Sequence, residues 1–91
     1  MGYFYWKIEK NDWLKKNRKI CFEEIVIRIS SEHVLDVVLH PNQEKYPNQM
    51  IMIINIDGYA HLVPFHAHED GWFLKTIIPS RKYTKQYLKG E

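Results

Sequence analysis

The sequence has little of several features that define common classes of enzyme and secreted protein. Cys21 is the only cysteine among 91 residues, so the chain forms no internal disulfide and no thiolate zinc site. Its four glycines include no glycine-rich phosphate loop and no nucleophile elbow, which argues against NTP hydrolysis and serine-type acyl transfer. The carboxylates show no convergence along the chain, and this argues against a magnesium-dependent nuclease.

Long hydrophobic runs and a strong excess of charge are also missing. The longest apolar run, Met50 to Ile54, is too short to cross a bilayer, and the opening residues MGYFYWKIEK lack the apolar stretch of a signal peptide. The net charge of +2 argues against a protein that coats nucleic acid. We therefore expect a cytoplasmic protein with a single domain over residues 1–91, because 45% hydrophobic residues suit one modest core.

Two amphipathic segments in the first third of the chain predict helices. The first runs from Lys7 to Asn17, where Trp13 and Leu14 form a thin apolar stripe among lysines. The second, FEEIVIRIS, has apolar residues at i, i+3, i+4 and i+7, with two acidic residues in the first turn, where they favour the helix dipole.

The rest of the chain alternates between strand patterns and turn signals. HVLDVVLHP changes to period two, and MIMIINI is apolar on both faces, as in a central strand covered by helices. Asp57-Gly58 predicts a tight hairpin that pairs MIMIINI with YAHLVPF, where Pro64 requires a bulge or an edge position because it has no N–H. WFLKTII predicts a fourth strand, and Ser80 is the predicted cap of a last helix that begins at Arg81.

These elements predict an α+β fold. Two N-terminal helices pack on a four-stranded antiparallel sheet, and a short C-terminal helix closes the chain. No repeat, linker or low-complexity segment interrupts this order.

The segment KTIIPSRKYTKQYLK joins basic and aromatic residues where the last predicted strand ends. Ser80 at the helix N-cap leaves N–H groups free, and together with Arg81 and Lys82 these make a candidate phosphate site. Tyr83 and Tyr87 lie four residues apart on one helix face, and aromatic rings beside cations suit single-stranded RNA. The alternative is that both tyrosines pack the helix on the sheet and the lysines are merely solvated.

The five histidines are candidates for metal binding and for proton transfer. The HAH segment at 66–68 places two imidazoles on one face of an extended segment, but no recognised ligand spacing is present, so we expect no metal and no cofactor. His40 and His61 are candidate general acid or base groups, because imidazole titrates near neutral pH. The alternative is that each is a surface residue on a strand.

Two segments resemble the BrnT family of bacterial toxins, a branch of the RelE-like ribonuclease fold. Near the start, Tyr5-Trp6 and Lys10-Asn11 precede NRKICFEE, which is similar to a turn and a Phe-Glu-Glu helix start in the family. Arg18 stands where the family often has His. The family closes on a strand that runs into Ile-Ser-Ala-Arg-Lys-Ala-Thr, and this chain has IPSRKYT at 78–84. The middle of the chain matches in its strand-turn-strand plan.

The resemblance implies a metal-independent ribonuclease, an mRNA interferase that inhibits translation as the toxin of a toxin–antitoxin pair. The 2′-OH attacks its own phosphate, and Arg81 is the predicted phosphate clamp, because a guanidinium binds two phosphate oxygens. His61 or His40 is the predicted acid or base, and Tyr83 stacks on a base or donates a proton. Further RNA contacts are predicted for Lys75, Ser80, Lys82 and Tyr87.

The family also implies a protein partner, an antitoxin of the ribbon-helix-helix type whose complex sets the oligomeric state. The rival hypothesis is a non-catalytic interaction module that binds a partner through its sheet and its basic C-terminal helix. The modest net charge favours this rival. Loss of growth arrest in a folded Arg81→Ala protein would separate the two hypotheses.

Overall fold

Within residues 3–89, which the computed structural model describes, the chain forms three helices and six strands. The strands are β1 (Tyr3–Tyr5), β2 (Val34–Leu39), β3 (Met50–Ile56), β4 (Tyr59–His68), β5 (Gly71–Leu74) and β6 (Ile78–Pro79). The helices are α1 (Ile8–Arg18), α2 (Phe22–Ser30) and α3 (Arg81–Thr84), and α3 continues into a π-helical turn, Lys85–Lys89. The predicted α+β class is confirmed, but the sheet has six strands where the sequence predicted four.

The N-terminal strand β1 is one of the additions. It lies parallel to β5, with Tyr3 opposite Gly71 and Tyr5 opposite Phe73, at one edge of a sheet with the order β1-β5-β4-β3-β2. Three aromatic residues in a row show no alternation of polar and apolar side chains, so periodicity gives no signal for this strand. Gly71 permits the pairing, because a Cβ at this position would collide with the Tyr3 carbonyl oxygen.

Pro64 explains why the predicted fourth strand is divided into β5 and β6. It lies opposite Ile51 in a continuous β3–β4 ladder, so the bulge considered from the sequence is absent there. On the other side of β4, Lys75 donates its N–H to the Pro64 carbonyl at 2.9 Å, and pairing resumes only at Ile78, opposite Leu62. Because proline has no N–H, a strand continuing beside it would lack a ladder hydrogen bond.

The tight turn between β3 and β4 forms as the sequence predicted. Asp57 and Gly58 have φ values of 54° and 85°, the positive values that a type I′ turn requires. The Asn55 side chain accepts a hydrogen bond from the Gly58 N–H at 2.8 Å. The register that follows from this turn places His61 opposite Ile54.

The two N-terminal helices pack on one face of the sheet and build the main core with it. The buried core residues are Leu14, Phe22, Ile25, Met52, Ile54, Ile56, Val63, Phe65, Leu74 and Ile77. Asn11 is only 4% exposed and joins the two helices. Its Oδ1 accepts the Phe22 N–H at 2.7 Å, and its Nδ2 donates to Glu23 at 2.9 Å. Asn11 therefore caps α2, whose own N-cap residue, Cys21, makes no side-chain cap hydrogen bond.

The C-terminal helix covers part of the opposite face of the sheet. Ile51 and Ile53 point to that face, because they alternate along β3 with the core residue Ile54, and both are buried. The Tyr87 hydroxyl donates to Asp36 Oδ2 at 2.6 Å, and Asp36 pairs with Ile53. The centre of the sheet therefore carries helices on both faces, and this burial suits the apolar run MIMIINI.

Candidate functional site

A cavity of about 480 Å³ opens where the end of α1, the β3–β4 turn and β6 meet. It is lined by Arg18, Lys19, Ile20, Ile56, Asp57, His61 and Pro79. We call it the His61 cavity. It combines an imidazole, a guanidinium, an ammonium group and a carboxylate, and His61 is the one lining residue that the sequence had selected for catalysis.

His61 is the group in this cavity best suited to proton transfer. It is half-buried on the face of β4 that α1 and α2 cover, since it pairs with the core residue Ile54. Its Nδ1 lies 3.0 Å from the Tyr59 carbonyl oxygen, which only accepts, so we infer that Nδ1 carries the ring proton and Nε2 keeps its lone pair. Burial lowers the pKa of His61 below its ordinary value, although the Tyr59 carbonyl and the Asp57 charge oppose the shift. The ring is therefore a neutral base at neutral pH.

Arg18 brings a positioned positive charge to the same cavity. As the last residue of α1, it donates from Nη1 to the Ile77 carbonyl at 2.8 Å. Its guanidinium also lies 5.2 Å from the centre of the Trp13 ring. These two contacts hold an otherwise exposed side chain at the edge of the cavity. A guanidinium has five N–H donors in a planar fork, so donors remain that suit two phosphate oxygens.

Lys19 ends α1 in a conformation that side chains rarely adopt. Its φ is 59°, in the left-handed region, and its N–H donates to the Leu14 carbonyl. Glycine is the common residue at such a helix end, and a residue with a Cβ costs about 1 kcal/mol or more there. Lys19 is nevertheless one of the residues that line the cavity, so the cavity has a second cationic residue.

The negative charge of Asp57, the carboxylate in the cavity lining, is partly neutralised by Arg28, which does not line the cavity. Asp57 Oδ1 lies 3.3 Å from Nη2 of Arg28, and Nε of Arg28 also binds Glu24 at 2.7 Å. The Asp57 side chain is 84% exposed, so water screens its charge further. The lining therefore has a net positive character from Arg18 and Lys19, which suits an anionic ligand.

The residues predicted at the start of the last helix are absent from the lining of this cavity and follow the lining residue Pro79 in the chain. Ser80 caps α3 as predicted, because its Oγ accepts the Tyr83 N–H at 3.2 Å. Arg81 and Lys82 follow Pro79, a lining residue, and both are exposed. The Lys82 ammonium lies 5.7 Å from the centre of the Tyr83 ring. Arg81 is thus accessible to solvent two residues from the cavity wall.

The C-terminal helix is attached to the sheet by the residues that follow. Thr84 is buried, accepts the Ala60 N–H at 2.8 Å and donates to the Ser80 carbonyl at 2.7 Å. The Tyr83 and Tyr87 rings lie 6.0 Å apart, and the Asp36 carboxylate raises the pKa of Tyr87 through their hydrogen bond. These contacts match the alternative interpretation, in which Tyr87 packs the helix on the sheet and its hydroxyl is engaged inside the protein.

His40 does not share a site with His61. Its N–H donates to the Gln49 carbonyl at 2.9 Å, next to the first residue of β3, whereas His61 pairs with Ile54. At about 3.3 Å per residue, the two histidines are separated by roughly 17 Å along the strands, with β3 between their strands. The His40 ring packs on Tyr46, with centroids 4.5 Å apart. One catalytic site therefore does not contain both.

Lys75 lies in a second cavity of about 330 Å³. This lysine cavity is lined by Lys7, Lys10, Phe73, Lys75 and Thr76. Sequence reasoning did not assign Lys7, Lys10, Arg18 or Lys19 to a site, because only the fold brings the ends of α1 beside the strands. The one signal in the sequence was the basic NRK at the end of the first helical pattern.

Two features are absent from the part of the chain that the structure describes. No three His, Cys, Asp or Glu side chains among residues 3–89 are grouped so that they could hold a metal ion. None of the helices in the same range has the length and apolar character needed to cross a membrane.

The fold and the cavity define a small α+β protein with a basic pocket built around one histidine. Comparisons with models of known families, with curated proteins and with solved structures give no match for this chain. A functional assignment therefore depends on the chemistry of the cavity and on the resemblance seen in the sequence.

Proposed function

We propose that this protein is a metal-independent ribonuclease that cuts RNA in the His61 cavity and acts as the toxin of a toxin–antitoxin pair. The observation that carries the proposal is a half-buried neutral imidazole in one cavity with the guanidinium of Arg18 and the ammonium of Lys19. A RelE-like arrangement of helices and sheet and a cytoplasmic location belong to the same proposal. The resemblance to the BrnT family supports them.

The reaction begins with His61 as general base. Its Nε2 takes the proton of a ribose 2′-OH, and O2′ forms a bond to the adjacent phosphorus while the P–O5′ bond breaks. The guanidinium of Arg18 stabilises the added negative charge on the phosphorane. Lys19 donates a proton to the leaving 5′ oxygen, so the products are a 2′,3′-cyclic phosphate and a 5′-hydroxyl end.

In this proposal Arg81 and Tyr83 bind the RNA outside the cavity. Arg81 is exposed and follows the lining residue Pro79 by two residues in the chain, and its proposed role is to clamp a phosphate next to the reacting one. Tyr83 is half-buried next to Lys82, where its ring offers a surface to a neighbouring base. His40 has no role, because of its distance from His61.

The test is cleavage of a short unstructured RNA by the wild type and by His61→Ala, in buffer with a metal chelator. We expect the wild type to cut and the variant to be slower by about a hundredfold or more. His68→Ala is the matched control, because His68 is exposed at the end of β4. Equal cleavage by wild type and His61→Ala, with equal melting temperatures, would contradict the proposal.

The toxin part of the proposal has a separate test. Expression of the wild type should arrest growth, and expression of His61→Ala should not. A ribbon-helix-helix antitoxin with an acidic segment is the proposed partner, and it would cover the exposed cations Lys75, Arg81 and Lys82. Its association should slow as salt rises, because opposite charges steer the encounter.

A non-catalytic interaction module is the second candidate, and the free edge of the sheet favours it. Among residues 3–89, β2 is an edge strand of the sheet, and only β3 pairs with it. Val37 and Leu39 of this strand are 40% and 62% exposed. Apolar side chains on an open edge strand are typical of an interface. Leu39→Glu should then abolish partner binding, and a protein that binds through β2 but cuts no RNA would favour this candidate.

A further inference from the structure

Trp13 is one of the large hydrophobic residues that the fold leaves exposed. Its side chain is 43% exposed, whereas the next residue, Leu14, is fully buried and supplies the contact of α1 with the core. Two cations lie against the ring: Lys10 Nζ is 4.5 Å and Arg18 Cζ is 5.2 Å from its centre. The ring is therefore presented to solvent between positive charges.

The lysine cavity at the other end of α1 concentrates positive charge. Lys7, Lys10 and Lys75 line it, with Phe73 and Thr76, and the lining includes no carboxylate. The parallel register of β1 and β5 ends with Tyr5 opposite Phe73, and Lys7 and Lys75, two residues further along each chain segment, line the same cavity. Positive charges gathered in one cavity repel each other, and a bound anion would offset this repulsion.

The charge of Lys75, a lining residue of the lysine cavity, affects the pKa of His66. Its pKa is lowered, first by burial and then by the positive charge of Lys75. The three lysines of its lining, together with the lack of a carboxylate there, give the lysine cavity a positive potential that favours an anion.

The two cavities and Trp13 form one continuous surface. Lys10 lines the lysine cavity and contacts Trp13, while Arg18 contacts Trp13 and lines the His61 cavity. At about 1.5 Å per helical residue, Lys10 and Arg18 are separated by roughly 12 Å along α1. We name this the α1 surface; it consists of Lys7, Lys10, Trp13, Arg18 and Lys75.

We propose that the α1 surface binds single-stranded RNA beside the cut site, with one base stacked on Trp13 and phosphates held in the lysine cavity. This inference rests on the proposed ribonuclease function and extends it beyond the reacting nucleotide. Base stacking on an exposed ring is worth more than an exposed cation–π contact, so a base displaces Lys10, whose ammonium then binds phosphate. A duplex presents no unstacked base, and this favours a single strand.

The experiment is a binding titration with a labelled, unstructured 2′-O-methyl RNA oligomer, which lacks the nucleophile and is not cut. Trp13→Ala should weaken binding about tenfold, whereas Trp13→Phe, which keeps a ring face, should weaken it much less. Lys7→Ala and Lys75→Ala should each reduce the slope of log affinity against log salt by about 0.7. Lys16→Ala is the matched control, an exposed lysine of the same helix outside both cavities.

Two results would overturn this inference. One is wild-type affinity in Trp13→Ala with an unchanged melting temperature. The other is equally tight, Trp13-dependent binding of an RNA duplex or of polyglutamate, because the surface would then attract any polyanion. Cleavage by the wild type is measured separately, so Trp13-dependent binding without any cleavage would remove the proposed function alone. His61-dependent cleavage without Trp13-dependent binding would remove this inference alone.

Discussion

The C-terminal helix and α1 contain the same kinds of residue and use them in opposite ways. SRKYTKQY and KNDWLKKNRK both interleave cations with aromatic rings. In the C-terminal helix, Tyr87 is bound to Asp36 and Thr84 to Ala60, so its polar and aromatic groups attach it to the sheet. In α1, Trp13 remains exposed between two cations. A basic and aromatic pattern therefore does not identify a nucleic-acid surface until the partners of its rings are known.

The difference between the two helices has a structural cause. α1 is held by Leu14 in the core and by the buried Asn11, which bonds to the start of α2. These two residues leave the rest of the helix free to face solvent. The C-terminal helix is short, and it attaches to the sheet through Thr84 and Tyr87. Tyr87 is also one of the residues for which the sequence predicted an RNA contact.

The largest expected effect that sharpens this comparison is the pH dependence of RNA cleavage. Burial places the pKa of His61 below the ordinary 6.5. A general base must be neutral to accept a proton. The cleavage rate should therefore be constant above pH 6.5 and should fall about tenfold per pH unit once the pH is below the lowered pKa of His61. The check is a profile of cleavage rate from acid to neutral pH. A residual activity of His61→Gln should lack this acid limb, and a profile that persists unchanged in that variant would assign the titration to another group.

The next effect concerns two arginines, Arg18 at the end of α1 and Arg81 at the start of the C-terminal helix, and their roles in RNA cleavage. Arg18→Lys should reduce cleavage by about a hundredfold, because lysine keeps the charge and loses the planar two-point contact with the phosphorane. Arg81→Lys should reduce it for the same reason if Arg81 clamps a neighbouring phosphate. Lys85→Ala, an exposed change on the same C-terminal helix, is the control. Should lysine serve nearly as well as arginine at both positions, charge alone would explain the basic surface.

A smaller effect, on stability, concerns the strand β1, which leads directly to Lys7 of the lysine cavity. Gly71→Ala should destabilise the protein by about 2–4 kcal/mol, since its Cβ would meet the Tyr3 carbonyl and separate β1 from β5. Gly58→Ala is the matched control: it also has positive φ but open space around it, and it should cost only about 1 kcal/mol. Thermal unfolding measures both. Equal losses would mean that φ alone, and not contact with β1, restricts Gly71.

Much of the fold could be predicted from the sequence, because its signals are local. The second helix, MIMIINI and the Asp57-Gly58 turn appear with their predicted bounds, since hydrophobic periodicity and positive φ depend on few neighbouring residues. The parallel strand β1 could not be predicted, because its pairing with β5 joins residues at opposite ends of the chain. The break at Lys75 depends on Pro64 in the neighbouring strand.

The candidate site was less predictable for the same reason. His61 was selected because imidazole is a common proton-transfer group, and this choice needs no fold. Arg18 reaches the cavity only because the end of α1 lies beside Ile77 and β6. The sequence placed its charged contacts in the C-terminal segment, where cations and rings are adjacent in the chain, whereas the cavities collect cations that are distant in the chain.

The smallest expected effect tests the packed side of the comparison. Tyr87→Phe removes one hydrogen bond to Asp36 and keeps the ring, so it should cost about 1 kcal/mol and lower the melting temperature by roughly 4 to 8 °C. If Tyr87 only attaches the helix to the sheet, binding of the uncut RNA oligomer should be unchanged in the same protein at a temperature well below its melting point. Tyr87→Ala, which also removes the ring, should destabilise further and still leave Trp13-dependent binding in place. A clear loss of RNA affinity in Tyr87→Phe would mean that the Tyr87 hydroxyl contacts RNA, as the sequence predicted.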